Sequence, residues 1–115
     1  MEKASTTAVE LCDRYCSRLA LSRQGTQLSK ALAERLAVVG VLAGRSPLSA
    51  AAACIYMASH LVGTPKSPKE IAAVAGVSDG TIRTAYKLLY LDKDKLIESK
   101  WLEEGKGDLK NLPGV

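Results

Sequence analysis

The sequence is poor in aromatic residues, and this shortage narrows the possible fold. Among its 115 residues there are no phenylalanines, one tryptophan and four tyrosines, so the core has to be built from leucine, valine, isoleucine and alanine. Small aliphatic side chains of this kind suit helices that lie close together. The chain is long enough for one domain with one core and too short for two. We therefore predict a single all-α domain.

Cysteine is also rare, and its spacing excludes two kinds of small domain. The three cysteines include no Cys-x-x-Cys pair, and Cys12 and Cys16 have no histidine near them in sequence. A disulfide framework needs an even number of cysteines, and a zinc site needs a fuller set of ligands. We interpret the cysteines as small core residues of a protein in a reducing compartment, and we expect neither a metal nor another cofactor.

The residue groups of a catalytic site are missing as well. His60 is the only histidine, the glycines form no phosphate-binding loop, and no pair of carboxylates has a nucleophile nearby. We interpret His60 as a polar residue near a helix end, and we predict that the protein is not an enzyme. Charges and glycines break every apolar stretch, so we expect no signal peptide, no membrane span and an intracellular, soluble protein.

Apolar residues recur at helical spacing along the first half of the chain. The spacing predicts a first helix over about 7–21 and a second from about 27 to 44. A third follows the Ser46–Pro47 cap and closes at Gly63. Its first half is small or apolar on nearly every side, which predicts the central helix of a bundle. Five of its side chains should be largely buried: Ala51, Ala52, Cys54, Ile55 and Met57.

Residues 67–90 predict two short helices joined by a glycine turn. A helix-turn-helix needs a small residue at the crossing, a turn glycine that can adopt positive φ, and a branched apolar residue on the second helix. Ala72, Gly76 and Ile82 stand at that spacing. The caps of the two helices are supplied by four further residues: Ser67, Pro68, Glu70 and Ser78.

The outward face of the fifth helix favours contact with DNA over a tight helical hairpin that binds no ligand. Four positions on this face carry no acid: Thr81, Arg83, Thr84 and Lys87. The first turns of a recognition helix are where base edges and phosphates are met. Of the net charge of +4, residues 44–90 carry +3 and residues 91–115 carry −1. Beyond the fifth helix we expect one or two helical turns near 93–97 and a loosely ordered tail over 99–115.

Two stretches, GRSPLSAAAACIYMASHL at 44–61 and KEIAAVAGVSDGTIRTAYKLLY at 69–90, closely resemble the second cyclin-like repeat of eukaryotic transcription factor IIB. The resemblance extends back through TTAVELCDRYCSRLAL and forward to NLPGV, an ending similar to fungal members. It therefore covers essentially the whole chain, and GRSPLS is its most specific part. The resemblance implies a single five-helix cyclin-like repeat over 1–98, with a carboxy-terminal helix-turn-helix at 67–90.

The resemblance also implies a function, that of a nuclear promoter-assembly module. In the family, two repeats clamp the TATA-binding protein on bent promoter DNA, and the second repeat lies upstream of the TATA element. RNA polymerase II is recruited by a zinc ribbon elsewhere in the longer factor, of which we expect this chain to be a carboxy-terminal piece. Activators are a further class of partner. The alternative is a cyclin-type domain that binds only proteins and makes no direct DNA contact.

The family's DNA-facing positions can be carried over to this sequence. On the fifth helix they match four residues: Gly80, Thr81, Arg83 and Lys87. Arg45 and Ser46, at the amino end of the third helix, match a phosphate-contacting loop, where free N–H groups suit an anion. Arginine can pair with a guanine edge, and lysine suits the phosphate backbone. Animal members carry valine where this sequence has Gly80, so we predict that the helix discriminates weakly between DNA sequences.

Overall fold

Seven α-helices provide most of the regular structure of residues 7–42 and 44–114, the part of the chain that the computed structural model describes. No strand occurs within those residues. The helices are α1 Ala8–Arg18, α2 Arg23–Val39, α3 Pro47–Leu61, α4 Pro68–Ala75, α5 Asp79–Leu91, α6 Lys93–Leu96 and α7 Ser99–Glu103, followed by a 3₁₀ turn at Leu109–Asn111. The predicted all-α fold is confirmed, with α1–α5 as the five expected helices and α6 and α7 as short additions.

Helix α3 lies at the centre of the fold and contacts α1, α2, α4 and α5. Its alanines let these neighbours approach closely, so that the interior is filled by interlocking small side chains. Five of its side chains have no exposed surface: Ala51, Ala52, Cys54, Ile55 and Met57. The predictions of a central helix and of these buried residues are confirmed.

The ends of α1 and α2 differ from the predicted bounds. Helix α1 ends at Arg18, three residues early, because the chain turns at Ala20, whose φ is +55°. Helix α2 begins earlier than predicted, since the Ser22 side chain accepts a hydrogen bond from the Gly25 N–H at 3.1 Å. It also ends earlier, because Gly40 adopts the left-handed conformation with φ +87° and stops the helix four residues before the predicted glycine.

The caps of the helix-turn-helix form as predicted. The Ser67 hydroxyl accepts from the Glu70 N–H and the Glu70 carboxylate accepts from the Ser67 N–H, each at 3.1 Å. The hydrogen bond that the Ser67 N–H donates to the carboxylate lowers the pKa of the Glu70 carboxyl. Gly76 has φ +75° in the turn, and the Ser78 hydroxyl accepts from the Thr81 N–H at the start of α5. Ile82 is fully buried, as its anchoring role requires.

The tail contains more regular structure than predicted, with α7 and a 3₁₀ turn. Trp101 of α7 is only 6% exposed and lines one cavity together with Leu28 and Ala31 of α2. Residues 105–114, which we call the strap, run across the end of α3, where the Asp108 N–H donates to the Leu61 carbonyl at 3.0 Å. The expectation of a loosely ordered tail stays a prediction. The domain boundary at residue 98 stays a prediction.

The three cysteines are free and buried, in keeping with their interpretation as core residues. Burial raises the pKa of the Cys12 thiol to about 12, and its neighbour Cys16 lies 3.3 Å from the Ser29 hydroxyl. Within the described residues, no three His, Cys, Asp or Glu side chains are grouped as metal ligands would be. A search of the same residues finds no helix with the length and apolar character needed to cross a membrane.

Candidate nucleic-acid interface

The amino end of α5 is capped and open to solvent. The Ser78 and Thr81 hydroxyls lie 2.8 Å apart. The Thr81 hydroxyl, which was predicted to face DNA, therefore already makes a hydrogen bond within the cap of α5. Gly80 is exposed, and a Cβ added there would meet only the Ser78 hydroxyl, at 3.9 Å. A larger side chain at position 80 therefore fits without displacing any neighbour.

Arg83 and Lys87 are exposed on the same face of α5, one turn apart. The Arg83 guanidinium lies 3.8 Å from the carboxylate of Asp79, one turn earlier. Asp79 was not among the predicted site residues, although its spacing of four residues from Arg83 is typical of an ion pair on a helix. An exposed pair of this kind contributes little to stability, so Arg83 can exchange Asp79 for a phosphate at low cost.

Arg83 and Lys87 also line one cavity, of about 380 Å³, which we call the basic cavity. Among the described residues no acid lines this cavity, although the Asp79 carboxylate pairs with Arg83 beside it. Its other walls come from α3, α4, α5 and the strap: Tyr56, Pro68, Tyr86, Pro113 and Gly114. The strap residues could not have been found from the sequence, because Pro113 lies 27 positions along the chain from Tyr86, the α5 residue that it contacts.

Arg45 and Ser46 form a separate part of the candidate interface. Both are exposed, and the Ser46 hydroxyl caps α3 by accepting from the Leu48 N–H at 3.1 Å. Ser46 precedes Tyr56 by ten residues, which is roughly 15 Å along a helix. Tyr56 contacts Tyr86 of α5, so Ser46 is separated along α3 from this contact between the two helices.

Aromatic side chains join α3 to α5 behind this surface. The Tyr56 and Tyr86 rings meet edge to face with centroids 4.9 Å apart, and the His60 ring lies 4.7 Å from Tyr56. Burial lowers the pKa of His60, which lies near the end of α3 as predicted. Burial also raises the pKa of the Tyr86 hydroxyl, so this group keeps its proton and donates a hydrogen bond to the Pro113 carbonyl at 2.7 Å.

Comparison with known proteins matches this chain to one family. The family model described as Transcription factor TFIIB repeat matches residues 1–92. Transcription initiation factor IIB of Schizosaccharomyces pombe is 48% identical over 109 residues, which are 95% of this chain and 32% of that protein. The Saccharomyces cerevisiae factor is 34% identical over 102 residues, which are 89% of this chain and 30% of that protein. The Xenopus laevis factor is 40% identical over 84 residues, which are 73% of this chain and 27% of that protein.

The chain thus spans about a third of the length of these relatives. The matches extend over most of the chain, and the predicted resemblance is confirmed. The chain belongs to the transcription factor TFIIB repeat family.

Proposed function

We propose that this domain is a promoter-assembly module of transcription initiation that docks on DNA through the outward face of α5. The observation that supports this best is the placement of Arg83 and Lys87 one turn apart on the second helix of a helix-turn-helix, beside a cavity that no acid among the described residues lines. The relatives named as initiation factors support the process. The site contributes binding and no chemistry, so the proposed module is not an enzyme and needs no cofactor.

Docking uses phosphates more than base edges. Arg83 and Lys87 contact the backbone at the groove, while Arg45 and the N–H groups near Ser46 supply a second phosphate contact at the start of α3. Two contacts separated along a rigid α3 fix the orientation of the domain on the duplex. Gly80 offers no apolar side chain to the groove, so the domain discriminates weakly between upstream sequences.

The proposed partners follow from the family. Promoter DNA and the TATA-binding protein are the direct partners, and RNA polymerase II joins through other parts of the longer factor. The module acts in the nucleus, and activators are a further class of partner. A domain that binds only proteins is the competing possibility, and it gives no reason for DNA affinity to depend on Arg83 and Lys87.

The test is a mobility shift on TATA-containing DNA, with and without the TATA-binding protein. The double variant Arg83→Ala/Lys87→Ala should weaken the ternary complex strongly. Arg14→Ala/Arg18→Ala is the matched control, because it removes the same charge at the same spacing from exposed positions of α1. Equal losses of DNA affinity in both double variants would show that the net charge matters and the position of the two residues on α5 does not. An unchanged ternary complex in the α5 double variant would favour the protein-only domain.

A further inference from the structure

The strap is attached to the body of the domain at both of its ends. At its start, the Gln24 side chain donates to the Lys106 carbonyl at 2.7 Å, and the Asp108 N–H donates to the Leu61 carbonyl. These bonds hold the strap to α2 and to the end of α3. At its other end the strap is held to α5, where the Tyr86 hydroxyl donates to the Pro113 carbonyl at 2.7 Å.

Tyr86 lies between the two basic residues of the candidate interface. It follows Arg83 by three positions and precedes Lys87 by one. Its side chain is 4% exposed and is fixed against the Tyr56 ring. The hydroxyl therefore holds Pro113 at a defined place, where Pro113 and Gly114 form one wall of the basic cavity that Arg83 and Lys87 line.

We propose that Tyr86 is a positioning residue for DNA docking, which places the strap against Arg83 and Lys87 and so limits the directions in which these two side chains point. This inference rests on the proposed function, since it concerns the same face of α5. Long basic side chains lose much rotamer freedom when they bind a phosphate. A wall that limits this freedom beforehand leaves less to lose on binding, and affinity rises accordingly.

A purely structural role for Tyr86 makes a different prediction. If the hydroxyl only fastens the strap to the bundle, its loss lowers stability and leaves the affinity of the folded domain for DNA unchanged. The two roles are separated by measuring DNA affinity directly, at a temperature where every variant is folded by circular dichroism. They are also separated by asking whether the effect of Tyr86 requires Arg83 and Lys87.

The experiment is fluorescence anisotropy with labelled TATA-containing DNA and the TATA-binding protein. Tyr86→Phe keeps the ring and removes only the hydroxyl, and it should raise the Kd by about 2- to 10-fold, the range of one hydrogen bond. Removal of residues 112–115 leaves the strap's bonds to α2 and α3 in place and should raise the Kd similarly. Tyr90→Phe is the matched control: it lies one turn on, keeps its ring under Lys93 and should bind as wild type.

Introducing Tyr86→Phe into Arg83→Ala/Lys87→Ala provides the decisive comparison. If Tyr86 acts through these side chains, the added change produces no further loss of affinity. A further loss of the same 2- to 10-fold, or a Tyr86→Phe single variant that binds as wild type, would overturn the positioning role while leaving the proposed function intact. If binding is insensitive to Arg83→Ala/Lys87→Ala itself, the proposed function fails, and the positioning role with it.

Discussion

Replacing Gly80 with valine tests how this surface discriminates between DNA sequences. The position accepts the side chain, because a Cβ there meets only the Ser78 hydroxyl at 3.9 Å and no positive φ restricts the backbone. In free protein the added methyl groups stay exposed, so burial contributes nothing to folding. Helix propensity favours valine over glycine by roughly 0.3–0.5 kcal/mol in a helix interior, and less in the first turn of α5.

On DNA the same methyl groups can become buried against a base edge such as a thymine methyl. Burying roughly 40 Å² of apolar surface contributes about 1 kcal/mol at the usual coefficient, which corresponds to a preference of about fivefold for the sequence that offers the contact. We therefore expect wild type to bind all upstream sequences nearly equally, and Gly80→Val to prefer the upstream element that animal members recognise.

The assay is competition binding with the TATA-binding protein present, on probes that differ only upstream of TATA. Gly80→Ala is the control, because alanine also improves helix propensity but supplies a single methyl group. Strong discrimination by wild type would refute the weak-reader prediction. An equal gain in Gly80→Ala would assign the effect to helix stiffness, and no gain in Gly80→Val would show that valine alone is insufficient.

Three further predictions concern stability, salt and pH. Ile55→Ala, at a fully buried site in α3, should lower the free energy of unfolding by roughly 2–5 kcal/mol in chemical denaturation; a loss below about 0.5 kcal/mol would contradict the central place of this helix. If three to five phosphates are neutralised, log K for DNA should fall with log salt at a slope of roughly −3 to −4, and a salt-independent affinity would exclude electrostatic docking. Because burial lowers the pKa of His60 below 6.5, the unfolded chain binds more protons, so stability should fall as pH drops below about 6.5; His60→Gln should reduce this loss in urea unfolding at pH 7.5 and 5.

The helices whose bounds were predicted well are those whose ends are marked by residues close by in the sequence. The bounds of α3, α4 and α5 follow from serine caps, an early proline and Gly76, all of which act within one turn of the residues they cap. The wrong end predicted for α2 also comes from a local signal, in this case a glycine. Gly40 can end a helix as well as Gly44 can, and nothing in the apolar pattern distinguishes the two glycines.

The strap lay beyond sequence prediction for a different reason. Its contacts use main-chain carbonyls, at Leu61, Lys106 and Pro113, which every residue carries and which therefore leave no mark in the sequence pattern. Its partners Gln24 and Tyr86 are distant along the chain. Arg83 and Lys87 could be predicted from the helical spacing of α5, whereas Asp79 beside Arg83 was missed and the strap beside them required the folded chain.

The burial of Trp101 in α7 has a practical consequence for spectroscopy. It is the only tryptophan, so intrinsic fluorescence reports mainly on the burial of α7 in the carboxy-terminal segment. Circular dichroism instead averages over all the helices, most of which lie before α6. Unfolding curves from the two signals will coincide if the carboxy-terminal segment and the bundle melt as one cooperative unit. A fluorescence transition that comes first would identify α7 and the strap as a separate, less stable unit.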